Sequence, residues 1–182
     1  SLYWCRNPGP TKVSDGQKWE QFTIDEPGPS ETGRLVDLNG DGRLDVLPNG
    51  TKTFAAWYEV QPLATELSDG AQVRWTRNPL PDELIGHGIG AGDINGDGRV
   101  DVVGPNGWAE APQDPSNERW LWHPEFELAR DCGLPILCYD VDGDGDVGGE
   151  SGKLPLDVVS LAGALLAMLC CRAADPYQAY KE

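Results

Sequence analysis

"DINGDGRVD", residues Asp93 to Asp101, sets acidic side chains at its first, fifth and ninth positions, an asparagine at the third and glycines at the fourth and sixth. The pattern recurs as "DLNGDGRLD" from Asp37 to Asp45 and opens a third time as "DVDGDGD" from Asp140 to Asp146. The first aspartates of the three loops stand 56 and 47 residues apart. A period near 50 in a chain of short strands points to the blades of a β-propeller.

The flanks of the loops repeat as well. "DVLPNG" and then "AAWYEV" follow the first loop, and "DVVGPNGWAEAP" follows the second. "VRWTRNPL" and "RWLWHPEFEL" occupy matching later positions, and the opening "LYWCRNPGP" with "KWEQFTIDEPGP" resembles the later part of a preceding unit. Each unit is therefore expected to be an acidic loop, a short apolar strand, a Trp-bearing strand, a variable polar turn and a second Trp strand, about four strands in all. The 23 glycines, 15 prolines and seven tryptophans of the 182 residues agree with short strands and tight turns. The fold class is all-β, a propeller-like array of about three four-stranded blades over residues 1–160. Its units fall near 1–36 (partial), 37–92, 93–139 and 140–160 (partial).

An ordinary turn does not need this many acids. Asp, Asn and Gly favour turns, yet three carboxylates converging within a few ångström repel one another by about 1–4 kcal/mol per pair. A cation relieves that repulsion. Calcium takes six to eight oxygens, and a nine-residue loop with ligands at alternate positions can wrap it. In the second loop Asp93, Asn95 and Asp97 would offer side-chain oxygens, Arg99 its carbonyl, and Asp101 would close the shell. Asp37, Asn39, Asp41, Arg43 by its carbonyl and Asp45 repeat the set. Gly42 and Gly98 would permit the sharp turn between third and fourth ligands, and the arginine side chains would point outward. An EF-hand is excluded, since it requires a glutamate at position twelve between helices. That position holds Pro48, Gly104 and Ser151 in the three loops. A dockerin-like module fails in the first two loops for the same reason.

With these residues in view, the units resemble FG-GAP/VCBS-type repeats, the calcium-binding blades of integrin-like propellers. "GRLVDLNGDGRLDVLPNG", "HGIGAGDINGDGRVDVVGPNG" and "LCYDVDGDGD" carry the resemblance, over roughly residues 1–147. It implies one structural calcium ion in the loop between the first strands of each blade. It also implies a secreted or cell-surface module for binding, adhesion or scaffolding, with a glycan or protein ligand. The alternative is the propeller portion of a carbohydrate-active enzyme, a polysaccharide lyase or sugar dehydratase. Closed propellers usually have four to eight blades, so further blades or another subunit would be needed for closure.

The third loop departs from the pattern. Asp140, Asp142 and Asp144 keep the alternate acids, but position nine is Gly148, and "DVVS" begins only at Asp157. Eleven residues separate Gly145 from Asp157 where two separate Gly42 from Asp45, an insertion of nine. Asp157 can close this site if the insertion loops out; otherwise Asp146 or Glu150 can substitute. After Asp157 the chain carries no charge from Val158 to Cys171. Fourteen residues are short for a membrane span, and their Ala and Leu content predicts a buried helix that caps or plugs the sheets, with residues 161–182 forming the helix and tail.

The net charge of −16 disfavours nucleic acid and anionic membranes and favours cations. "SLYWCRNPGP" has neither an initiator Met nor a signal peptide, so either processing has removed the true start or the chain is a segment of a longer one. Five cysteines leave at least one without an intrachain partner, and Cys132 with Cys138 can close a small loop or remain free thiols. Cys170 and Cys171 fit simple packing. His87, beside a loop, and His123, in "WHPEF", fit structural roles better than catalytic ones. Of Trp57, Trp75, Trp108, Trp120 and Trp122, most should be core.

Overall fold

A computed structural model describes residues 1–30, 32–49, 51–62, 73–124, 136–139, 158–162 and 166–170. Strands β1 (Leu2–Arg6) and β2 (Glu20–Asp25) form a two-stranded antiparallel sheet, joined through a short helix α1 (Pro10–Ser14). Two four-stranded sheets follow, each an antiparallel meander in chain order. The first holds β3 (Gly33–Val36), β4 (Asp45–Pro48), β5 (Ala56–Pro62) and β6 (Val73–Pro79). The second holds β7 (Gly90–Gly92), β8 (Asp101–Gly104), β9 (Gly107–Glu110) and β10 (Leu121–His123). Strands β11 (Ile136–Cys138), β12 (Val158–Ala162) and β13 (Leu166–Cys170) make a three-stranded sheet.

The repeated sequence becomes repeated pairing. Val46 of β4 faces Tyr58 of β5, and Val102 of β8 faces Ala109 of β9, so the Asp-Val and Trp marks meet in the same register. Leu47, Val102, Val103 and Trp57 are fully buried, which the unbroken apolar character of the second strands requires. Leu47 and Trp57 from the first sheet and Val102, Ala109 and Trp120 from the loop-bearing neighbour belong to one core cluster. Trp57, Trp108 and Trp120 are buried as expected, while Trp75 and Trp122 are half-buried.

Three features tie the sheets together. Ile136 of β11 donates its amide to the carbonyl of Ile89, just ahead of β7, at 3.0 Å, and Arg34 of β3 donates to the Ile136 carbonyl at 2.8 Å. A Cβ on Gly90 would stand 2.6 Å from that same carbonyl, so only glycine allows the approach. Asn49, 1 % exposed, is the densest polar crossing. Its amide donates to the Thr32 carbonyl at 2.8 Å, its Nδ2 to Thr32 Oγ1 at 2.7 Å, and its carbonyl accepts from Ser30 Oγ at 2.7 Å. Its Oδ1 accepts the amide of Gly88 at 2.8 Å, reaching the segment that enters β7.

The expectation of a mostly β chain holds, its sheets being antiparallel, with three corrections. The described sheets do not close on themselves and do not assemble as a propeller. Each four-stranded sheet begins one strand ahead of its acidic loop, at Gly33 and Gly90, so the loop is the connection between the sheet's first two strands and not the start of the unit. The apolar run expected as a helix contains β12 and β13 instead, paired from Val158↔Cys170 to Ala162↔Leu166. An uncharged run carries no periodicity to separate helix from strand. Here the edge of β11 supplies hydrogen-bond partners to the β-branched start of the run.

Candidate metal centres

Both complete acidic loops connect the first two strands of a four-stranded sheet, β3 to β4 and β7 to β8. They fold alike. Asp37 accepts the amides of Asp41 (3.1 Å, Oδ1) and Gly42 (2.8 Å, Oδ2), and Asp93 accepts those of Asp97 (3.0 Å) and Gly98 (2.8 Å). Asn39 and Asn95 accept from the same Asp41 and Asp97 amides at 3.2 and 3.1 Å. Asp41 and Asp97 accept the amides of Arg43 and Arg99 at 2.8 and 2.9 Å. Gly42 and Gly98, at φ 83° and 85°, occupy the left-handed region expected for them. Gly40 and Gly96 do so as well, at 73° and 74°.

The closing aspartates stand apart from the rest of each loop. Asp45 and Asp101 are wholly buried at the first positions of β4 and β8. Asp45 Oδ2 accepts the Leu38 amide at 3.0 Å, and Asp101 Oδ2 accepts the Ile94 amide at 2.8 Å, so each acid ties the end of its loop to the beginning. Burial pushes both carboxyls up, each to about 6. Backbone hydrogen bonds oppose that rise, while the neighbouring Asp37 and Asp41, or Asp93 and Asp97, add to it. The acids of each loop thus share one electrostatic field.

The loops differ at two points. Asp101 Oδ1 accepts the Ala111 amide at 2.8 Å, whereas Asp45 Oδ1 is buried with no hydrogen-bond partner. A buried carboxylate oxygen left unmatched costs on the order of 1–3 kcal/mol, more when charged. The arginines also differ: Arg43 is exposed, in line with the outward orientation expected, whereas Arg99 is half-buried. Both pair with a loop carboxylate, Arg43 with Asp41 and Arg99 with Asp97. Two adjacent carboxylates attract the nearest guanidinium. Arg99 is further held by the Ala111 carbonyl at 2.8 Å and lies 3.8 Å from Glu110, leaving its side chain 26 % exposed against 46 % for Arg43.

Among the described residues, no three His, Cys, Asp or Glu side chains are gathered as a ready ligand cluster. Hard oxygen donors, an acidic field and the orphaned Asp45 oxygen nevertheless fit a hard cation such as calcium. The third loop, with Asp140, Asp142, Asp144, Asp146, Glu150 and Asp157, lies outside the described residues, as do Cys132 and Cys171. Cys5 and Cys138 are free thiols, and burial pushes that of Cys138 up to about 12.

Sequence reasoning passed over Glu59 and Glu110. Both follow the buried tryptophan by two residues, in "WYE" and "WAE", and that echo was the available signal. Glu59 adds to the field on Asp45, and Glu110 bonds His123 Nε2 at 2.8 Å. His123 in turn stacks on Trp108 at 4.3 Å, on the edge strand of its sheet. Compared with protein-family models, with curated proteins and with solved structures, the chain matches none.

Proposed function

We propose that this chain is a calcium-stabilised repeat module of the FG-GAP/VCBS type, acting outside the cell in binding, adhesion or scaffolding. The observation that carries the proposal is the twofold recurrence of one loop geometry with a closing aspartate whose pKa is raised by burial and further by the neighbouring loop acids. Bound calcium would neutralise the carboxylates of Asp37, Asp41 and Asp45, and of Asp93, Asp97 and Asp101, and so fix the β3–β4 and β7–β8 connections. The role is structural: each loop ties two strands at the head of a sheet, and the described histidines serve packing and hydrogen bonding.

The segments that open the sheets meet at Ile136. Ile136 of β11 bonds to the entrance of β7 and receives Arg34 from β3. Closure into a propeller would require further blades or a second subunit. A calorimetric calcium titration with a thermal melt in calcium and in EGTA tests the proposal. Two or three bound ions and a higher melting temperature in calcium are expected; no heat and no shift would refute it.

A further inference from the structure

The third strand of each four-stranded sheet sets a further carboxylate beside the closing aspartate. Val46 faces Tyr58 and Val102 faces Ala109, so the next pair along each antiparallel ladder joins Asp45 to Glu59 in the first sheet and Asp101 to Glu110 in the second. Residues opposite one another in such a ladder project from the same face, with Cβ atoms about 4.5–5.5 Å apart. Glu59 also lines a groove with Asn39 and Asp41, two of the expected ligands of the first loop.

The two glutamates are held differently. Glu110 is engaged by its own sheet: one oxygen bonds His123 Nε2 at 2.8 Å, and the other lies 3.8 Å from Arg99 Nη2. Glu59 has one hydrogen-bond partner among the described residues, Ser116 Oγ at 3.4 Å, and its charge bears on Asp45 together with those of Asp41 and Asp37. The closing aspartates divide in the same way. Asp101 has both oxygens matched by amides, whereas Asp45 Oδ1 is buried without a partner. Native interiors seldom keep a buried polar atom unmatched without a reason. The second loop thus has both neighbouring carboxylates committed to protein donors, and the first keeps oxygens of both free.

Calcium takes six to eight oxygens, and the five donors of the first loop leave a place for another. We propose that Glu59 fills it as a ligand contributed by the third strand, and that the first loop consequently binds calcium more tightly than the second and fills before it. This rests on the calcium reading of the loops. His123 and Arg99 withhold Glu110 from the second site, so an ion there has only the ligands of its own loop.

The test is a calorimetric calcium titration of the full chain and its variants. Asp37→Ala should abolish the tightest step, and Asp93→Ala should not. Glu59→Gln should weaken that step by about tenfold or more, because affinity follows the charge of the ligand set, while Glu110→Gln leaves it unchanged. One equivalent of terbium, a luminescent stand-in for calcium, separates a ligand from a distant charge. Its lifetimes in H2O and D2O count the waters on the ion, and that count should rise in Glu59→Ala and stay constant in Glu110→Ala. Glu59 is half-buried and outside the core cluster, and Glu59→Gln keeps its size, so the test stands even if Glu59→Ala is unstable. A tightest step lost in Asp93→Ala instead, an affinity indifferent to Glu59, or an affinity loss with an unchanged water count would overturn the proposal and leave calcium binding in place. No binding of either ion would refute the calcium reading itself, and this inference with it.

Discussion

At the scale of single residues, Asp45 and Asp101 carry the sharpest consequences. Both occupy the same place in sequence and sheet, yet only Asp101 has both oxygens matched. Asp101→Ala strands the Ile94 and Ala111 amides and should cost roughly 2–5 kcal/mol in urea melts even in chelator. Asp45→Asn keeps an acceptor for Leu38 and removes a buried charge. It should leave the chelated protein within about 1 kcal/mol of wild type, or raise its stability, and lower the stability of the calcium-loaded one. A loss of equal size in both conditions would contradict the role given to Asp45.

The same two groups set a pH dependence. Their folded pKa of about 6 lies above the ordinary 3.8, so between those values the folded chain binds more protons than the unfolded one. Their stabilising contribution is complete below pH 3.8 and is lost as pH rises through 6. In EGTA each should cost on the order of 2–3 kcal/mol over that window, which a double Asp45→Asn, Asp101→Asn variant would flatten. Calcium favours the ionised form and should reverse the slope. The arginines add a further asymmetry. Arg99 is pinned by the Ala111 carbonyl while Arg43 is not, so Arg99→Ala should raise calcium affinity at its loop more than Arg43→Ala does at the other, as read by site-resolved titration.

At the scale of elements, legibility followed periodicity. The strands "DVLP" and "DVVG" and the Trp strands could be read because each has a buried face set by its neighbours and a turn residue at its end. Gly42 and Gly98 could be read because a tight turn imposes a positive φ. The run from Val158 could not, since an uncharged stretch presents no contrast between faces and its state was decided by the open edge of β11. Helix α1 carries no buried residue and had no apolar stripe to announce it. The ion pairs of Arg43 and Arg99 were missed because spacing says where a side chain starts and not which charge it will meet. Trp57→Ala, which empties the centre of the shared core, should cost about 3–5 kcal/mol by chemical denaturation.

At the scale of the whole molecule, one core cluster joins residues from both four-stranded sheets, so they should unfold together in a single transition. Calcium binding at either loop would then raise the stability of both, because an ion that binds only the folded state shifts the common equilibrium. Fluorescence of the buried tryptophans and far-UV ellipticity should report the same midpoint, with and without the ion. Separate transitions would show that the sheets are energetically independent.

Asn49 separates two stretches that their sequence makes look alike. The motif "PNG" appears twice, yet Asn49 is buried across Thr32, Ser30 and Gly88, while its counterpart Asn106 is exposed in the tight turn between β8 and β9. One of two like stretches thus holds a fastening that the other lacks, and that fastening joins the first four-stranded sheet to the segment entering the second. Splicing in another repeat would succeed only where the partner of Asn49 travels with it.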